Sequence, residues 1–180
     1  MTKTGLTLFE LLISMLLISA MLGAIWMIFR TGLITFYGTS DRQNISDQAS
    51  VAFTTMTNEL RQASSVISAT GTAVRFYADV NSDGVNEDIQ YIWNGTAGAP
   101  LNRVLTAATT QTMALVRSVN NPLPSATNPL FHYYGANNSD LGLTPTVANV
   151  QLVLIELYTY NDLSGTERFH LRTKVGLRCI

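Results

Sequence analysis

Gly5-Leu6-Thr7-Leu8-Phe9-Glu10-Leu11-Leu12 opens an apolar run that continues to Phe29, with Glu10 as its single charge and Arg30 as the next. From Leu6 to Phe29 the run is long enough to cross a bilayer as a helix, which takes about 20 residues. A carboxylate inside such a span costs roughly 2.5–3.5 kcal/mol at the bilayer centre and less near an interface. A plain membrane anchor has no use for it. A helix that leaves lipid and packs against other helices does, if the carboxylate meets a cation there.

The residues before the run, Met1-Thr2-Lys3-Thr4-Gly5, are polar and basic. A secretory signal peptide would carry an apolar core of about 7–15 residues followed by a small-residue cleavage site. Here the apolar run is longer, and the natural break precedes it at Gly5. This layout resembles the leader of the type IV pilin superfamily: a short basic leader, a Gly, then a hydrophobic helix whose fifth residue is Glu. In that family a prepilin peptidase in the membrane cuts after the Gly and methylates the new amine. The resemblance implies a cut between Gly5 and Leu6, methylation of Leu6, and an assembly role for Glu10. Leu6 departs from the family, which most often has Phe there, but the cut depends chiefly on the Gly. A single-pass anchor with an accidental glutamate is the other reading of the same residues.

With 180 residues, the chain has room for one anchor segment and one modest domain with a real core. A net charge of −1 gives no basic surface for nucleic acid, and no nucleic-acid partner is expected. Only 13% of residues are charged, which weakly suits an extracytoplasmic surface. Lys3 favours a cytoplasmic N-terminus, with Arg30 a mild contrary signal. The lone cysteine, Cys179, allows no intramolecular disulfide, and it reads as a small apolar residue ending the last strand, with an intermolecular bridge as the alternative.

No proline occurs before Pro100, so a helix can continue past the membrane segment. From Ser40 the pattern becomes amphipathic: Ile45, Ala49, Ala52, Phe53, Met56, Leu60 and Ala63 recur at spacings of three and four. The sequence predicts one helix from Leu6 to about Ser65, about 90 Å long. Short β-branched and aromatic runs follow. Ala73 to Tyr77 and Ile89 to Trp93 read as paired strands, and Arg103 to Thr106 and Thr112 to Val119 as a second hairpin. Asn120 to Leu130, with Pro122, Pro124 and Pro129, reads as a loop, Phe131 to Tyr134 as a short strand, and Asn137 to Pro145 as another loop. Val150 to Tyr160 and Glu167 to Leu177 form a closing hairpin with both faces partly buried. The expected fold is α+β: a leader at 1–5, a transmembrane helix at 6–29, its amphipathic continuation at 30–65, and a β-rich domain at 66–180, the helix packed on an antiparallel sheet. This is also the pilin-like layout. The closing Leu171 to Ile180 looks like the last strand of minor pilins and type II secretion pseudopilins.

One segment carries a ligand-like pattern: Asp79-Val80-Asn81-Ser82-Asp83-Gly84-Val85-Asn86-Glu87-Asp88. Oxygens at alternate positions before a Gly suit calcium, which takes six to eight oxygens at about 2.3–2.6 Å. Asp79, Asn81 and Asp83 would supply side chains, Val85 its carbonyl, and Glu87 or Asp88 would close the site. Gln90 stands where an EF-hand has its bidentate Glu, and strands rather than helices flank the segment, so it is not an EF-hand. The alternative is a polar hairpin turn on Asp83-Gly84. His132 and His170 lack metal-ligand spacing and read as structural. No nucleophile elbow, phosphate loop or zinc-protease motif is present.

The expected function is therefore a structural assembly subunit without catalysis of its own, a minor pilin or type II secretion pseudopilin. Its partners would be other pilin or pseudopilin subunits, the prepilin peptidase and the inner membrane, with the C-terminal domain periplasmic. The alternative is a membrane-anchored, calcium-dependent binding module or adhesin.

Overall fold

Ala49, Ala52, Met56 and Leu60 fall three and four residues apart, and all four are buried. They form the inner stripe of α1 (Leu8–Arg61), a single helix of 54 residues. The computed structural model describes residues 7–106, 109–121, 129–160 and 168–178, with the side chains at 38–42, 160 and 168 excepted. Gly5, Leu6, Cys179, Pro122, Pro124 and the turn at 161–165 lie outside the described residues. The chain divides into two compact units, one up to Asp41 and one from Arg42 onward. The second is the α+β domain.

The helix ends at Arg61, earlier than the sequence pattern predicts, and β1 (Ala63–Thr70) begins almost at once. Ala63 keeps its place in the apolar stripe but as the first buried residue of a strand. Ser64, Ser65, Val66 and Ile67 explain the switch, since serine hydroxyls and β-branched side chains both weaken a helix. The Gln62 N–H donates to the Glu59 carbonyl at 3.1 Å, tightening the last turn. The ladder to the next strand, with Val66 opposite Phe76 and Ala69 opposite Val74, then outweighs the helical period.

β2 (Ala73–Ala78) and β3 (Glu87–Trp93) pair antiparallel, as the sequence predicts, and the register sets Ala73 opposite Ile92. β4 (Ala99–Thr106) and β5 (Thr110–Val119) form the second hairpin. It joins the first in one five-stranded sheet, β1-β2-β3-β4-β5. Val74, Phe76, Ala78, Ile89, Tyr91 and Trp93 point inward at every second position and meet the helix stripe in one core. A second sheet has the order β7-β6-β8-β9, built from β6 (Phe131–Tyr134), β7 (Asp140–Gly142), β8 (Leu152–Tyr160) and β9 (Arg168–Gly176). The stretch Asn137–Pro145, expected to be all loop, contains β7, which pairs Gly142 with Tyr133 and so satisfies part of the open edge of β6. In β8, Val153, Leu154 and Ile155 are buried in succession, so both faces are covered as expected.

Where β6 stops, Asn121 continues its ladder. Its side-chain Nδ2 donates to the Glu156 carbonyl at 2.7 Å, and its Oδ1 accepts from the Tyr158 N–H at 2.8 Å. The Asn120 N–H donates to the Tyr158 carbonyl at 2.8 Å. Asn121 is fully buried, and its amide stands in for a peptide group. Because it follows β5 directly, it ties the end of the first sheet to the middle of the second. The sequence shows only a polar pair before a proline, so this role was not visible there.

Glu59 fixes the helix to the first sheet. Its carboxylate accepts hydrogen bonds from the Tyr91 hydroxyl and from Arg103, whose Nη2 lies 2.8 Å from Oε1. Both charged side chains are largely covered, at 13% and 14% exposure. Burial opposes the Arg103 charge, but the hydrogen bond and charge of Glu59 outweigh it, so its pKa is raised. Burial, then the Glu59 charge, pushes the Tyr91 phenol far above its usual range.

Removing one member leaves the other charge stranded, at about 3–5 kcal/mol. Arg103→Met in the detergent-solubilised full chain is expected to lose that much stability in urea, with most of it restored by Glu59→Leu in the same chain. Equal stability of Arg103→Met and the parent would remove Glu59 as a clamp. Alkali gives a second readout. An unfolded tyrosine ionises near pH 10 while folded Tyr91 stays neutral, so the folded state holds a proton that the unfolded state loses. Stability is expected to fall as pH rises above about 10, and less steeply in Tyr91→Phe. Identical slopes in the two proteins would count against the buried neutral phenol.

Candidate functional site

Leu8–Tyr37 is a 30-residue apolar helical segment whose most apolar 18-residue window has a mean hydropathy of 2.4, with none of that window buried. By length and composition it can cross a membrane. Leu8, Leu16, Trp26, Met27 and Ile28 are each more than 60% exposed. A water-soluble protein rarely leaves so continuous an apolar surface open. The apolar character runs past Phe29, through Leu33, Ile34 and Phe36 to Tyr37, with Arg30 inside it. A long arginine stem can lie along apolar surface while its head reaches an interface.

The segment satisfies its own small polar groups. The hydroxyls of Ser14, Ser19, Thr31 and Thr35 donate to the carbonyls of Glu10, Leu16, Met27 and Thr31 at 2.8–3.0 Å. Such internal bonding is what an environment without water requires. Glu10 is the exception, since its carboxylate has no hydrogen-bond or ionic partner among the described residues.

Glu10 sits in the first turn of α1. Its N–H lies 3.3 Å from the Thr7 Oγ1 and 3.0 Å from the Thr7 carbonyl. Thr7 therefore caps the helix, and Glu10 holds the third helical position, where a carboxylate is favoured by the exposed N–H groups and the helix dipole. The Thr-x-x-Glu spacing at Thr7 and Glu10 is a capping signature that the sequence reading passed over. It lowers the intrinsic cost of the carboxylate without supplying a cation.

The acidic segment folds as a turn between β2 and β3 that caps itself. Asp79 Oδ1 and Oδ2 accept the N–H groups of Asp83 and Gly84 at 3.1 and 3.0 Å. Asn81 Oδ1 accepts the Asp83 N–H at 2.9 Å, and Asp83 Oδ1 the Val85 N–H at 2.7 Å. Glu87 Oε2 takes the Val80 N–H at 3.0 Å. Asp88 belongs to Arg75, which it meets through two bonds at 2.9 and 2.5 Å. Gly84 has φ +85°, a conformation that side chains rarely adopt. Of the residues read as calcium ligands, Asp79, Asn81 and Asp83 do converge, but on backbone N–H groups. Glu87 and Asp88 point their carboxylates to Val80 and Arg75, and Val85 is mostly exposed. Among the described residues no group of three or more His, Cys, Asp or Glu is arranged to hold a metal. The donor set thus fits the turn reading.

The histidines stand apart on β6 and β9, with β8 between them. His170 stacks on Tyr158 at 4.1 Å and lies 3.1 Å from Glu156 Oε1. His132 Nδ1 is buried without a hydrogen-bond partner among the described residues. No protein-family model, curated protein or solved structure matches the chain.

Asp79→Ala removes the acceptor of the Gly84 N–H and one of two for Asp83, and is expected to lower stability by about 1–2 kcal/mol in thermal melting. Millimolar calcium and magnesium are expected to shift melting alike. A rise specific to calcium and lost in Asp83→Ala would restore the ion-binding reading.

Proposed function

We propose that this chain is a structural assembly subunit of pilin type, a minor pilin or type II secretion pseudopilin, processed at Gly5 and inserted through residues 8–37. The observation that carries this reading is the carboxylate of Glu10, without a partner among the described residues, near the start of an exposed apolar helix. The Gly5 break five residues upstream in the sequence supports it. So does the α+β layout, with a helix running into an antiparallel domain. In this reading the subunit waits in the inner membrane with its β-rich domain in the periplasm. Extraction into a bundle of neighbours exchanges lipid for helix contacts, so apolar surface never meets water. The free amine of a neighbouring subunit then supplies the cation that Glu10 lacks.

Intact-mass measurement of the chain purified from peptidase-competent membranes tests processing. The expected species begins at Leu6 and carries one methyl group, and a chain still starting at Met1 would sink the proposal. For Glu10, Glu10→Leu should insert as well as the parent or better, because a costly group is gone. Its crosslinking to partner subunits should fall about tenfold, the loss of roughly 1.4 kcal/mol of pairing. Undiminished crosslinking would deny the carboxylate an assembly role.

A further inference from the structure

The segment Leu8–Tyr37 carries two charges, Glu10 and Arg30, which stand 20 residues apart. Along a helix that is about 30 Å, the thickness of the hydrocarbon core of a bilayer. The whole segment is about 45 Å long. Fitting all of it into the core would need a tilt of about 48°, beyond the range of about 0–40° that spanning helices adopt. Part of the apolar run therefore lies outside the hydrocarbon. A helix that sets Glu10 at one boundary sets Arg30 at the other, and both charges then avoid the bilayer centre, where they cost most. Arg30 is exposed and has no hydrogen-bond, ionic or ring partner among the described residues. Trp26 stands one turn before it, about 40° around the axis, and Tyr37 two turns after it, about 20° around. These rings are 67% and 64% exposed. Glu10 lies almost opposite, about 160° from Arg30. Ile28, Thr31, Gly32 and Thr35 line a groove on the side of Glu10. The helix thus has two unlike sides, one with a cation between aromatic rings and one with a carboxylate and small residues.

We propose that Arg30 binds the phosphate of a phospholipid headgroup, flanked by Trp26 and Tyr37, and that this side of the helix faces lipid. The proposal rests on the membrane-inserted state of the reading above. Charge and depth select the occupant. At the hydrocarbon boundary the anions within reach are phosphate oxygens, and the planar fork of a guanidinium pairs with two of them at once. The apolar stem of Arg30 lies along the helix while its head reaches outward. An indole one turn inside and a phenol two turns outside bracket the headgroup layer, since each ring joins an apolar body to a polar tip. The side with Glu10 and the groove carries no cation, so it has nothing to hold a phosphate. The contact fixes the depth of the span. It stops the apolar run from sliding inward and leaves Tyr37 about 10 Å beyond Arg30. Leu33, Ile34 and Phe36 are then held among headgroups rather than acyl chains.

The test places the full chain in phosphatidylglycerol vesicles whose acyl chains carry bromine at defined depths. Bromine quenches Trp26, and Trp93, buried in the α+β domain, gives a background that Trp26→Phe measures. Arg30→Leu is expected to let Trp26 sink by about 5 Å, one helical turn. Arg30→Lys keeps a cation and is expected to hold the parent depth. Solid-state NMR of chain labelled at the arginine guanidinium carbons reads the contact itself. A carbon–phosphorus coupling is expected in the parent and is expected to be lost in Arg30→Leu. Vesicles of a phosphate-free glycolipid, with inorganic phosphate in the buffer, should give no coupling. Coupling there would assign the site to free phosphate and overturn the lipid contact. Alkaline extraction separates this proposal from the one it rests on. A parent chain released by alkali overturns membrane insertion and the lipid contact with it. With a parent that resists extraction, an unchanged Trp26 depth or an unchanged coupling in Arg30→Leu overturns the lipid contact alone.

Discussion

The apolar surface of residues 8–37 has to be kept from water by something other than this chain. None of its most apolar window is buried, while the α+β domain closes its own core with Ala49, Ala52, Met56 and Leu60. One continuous helix therefore meets two surroundings. Its first part bonds serine and threonine hydroxyls back to its own carbonyls. Its last part presents a stripe one turn wide, small at Ala49 and Ala52 so that the backbone can come close, and filled at Met56 and Leu60. Everything proposed about the protein's work follows from the need of the first part for an external cover.

Two glutamates on this helix show the same physics with opposite solutions. Glu59 is largely covered and answered within the chain by Arg103 and Tyr91. Glu10 is answered by no described side chain. The helix cap at Thr7 makes its charge tolerable but leaves it unneutralised. On the proposed assembly reading, the cation that no described residue supplies to Glu10 comes from a neighbouring subunit. This asymmetry is the physical content of the assembly reading.

Much of the architecture could be read from the residues because the periods are clean. The three-and-four spacing from Ala49 to Leu60, and the alternation of Val74, Phe76 and Ala78, each match one element. The helix end was misplaced because Ala63 satisfies both periods, and only the pairing of β1 with β2 decides between them. β7 was missed because three residues make no pattern. The calcium motif and the self-capped turn share the same residues, since oxygens that gather around an ion can also gather backbone N–H groups. What the segment does depends on where those oxygens point. Asn121 was illegible for a related reason: an amide that imitates a peptide group leaves no mark on hydropathy.

That amide also shapes how the domain comes apart. The closing hairpin of β8 and β9 could in principle peel away as an independent flap, since its two strands follow one another in the chain. Peeling would break the bonds of the Asn121 amide to the Glu156 carbonyl and the Tyr158 N–H, and it would also uncover the apolar side chains that β8 buries. Opening the second sheet alone therefore carries the cost of these bonds. Asn121 thus works beside the Asn120 N–H, the Phe131 N–H and the Tyr133 hydroxyl, which also bond across the two sheets.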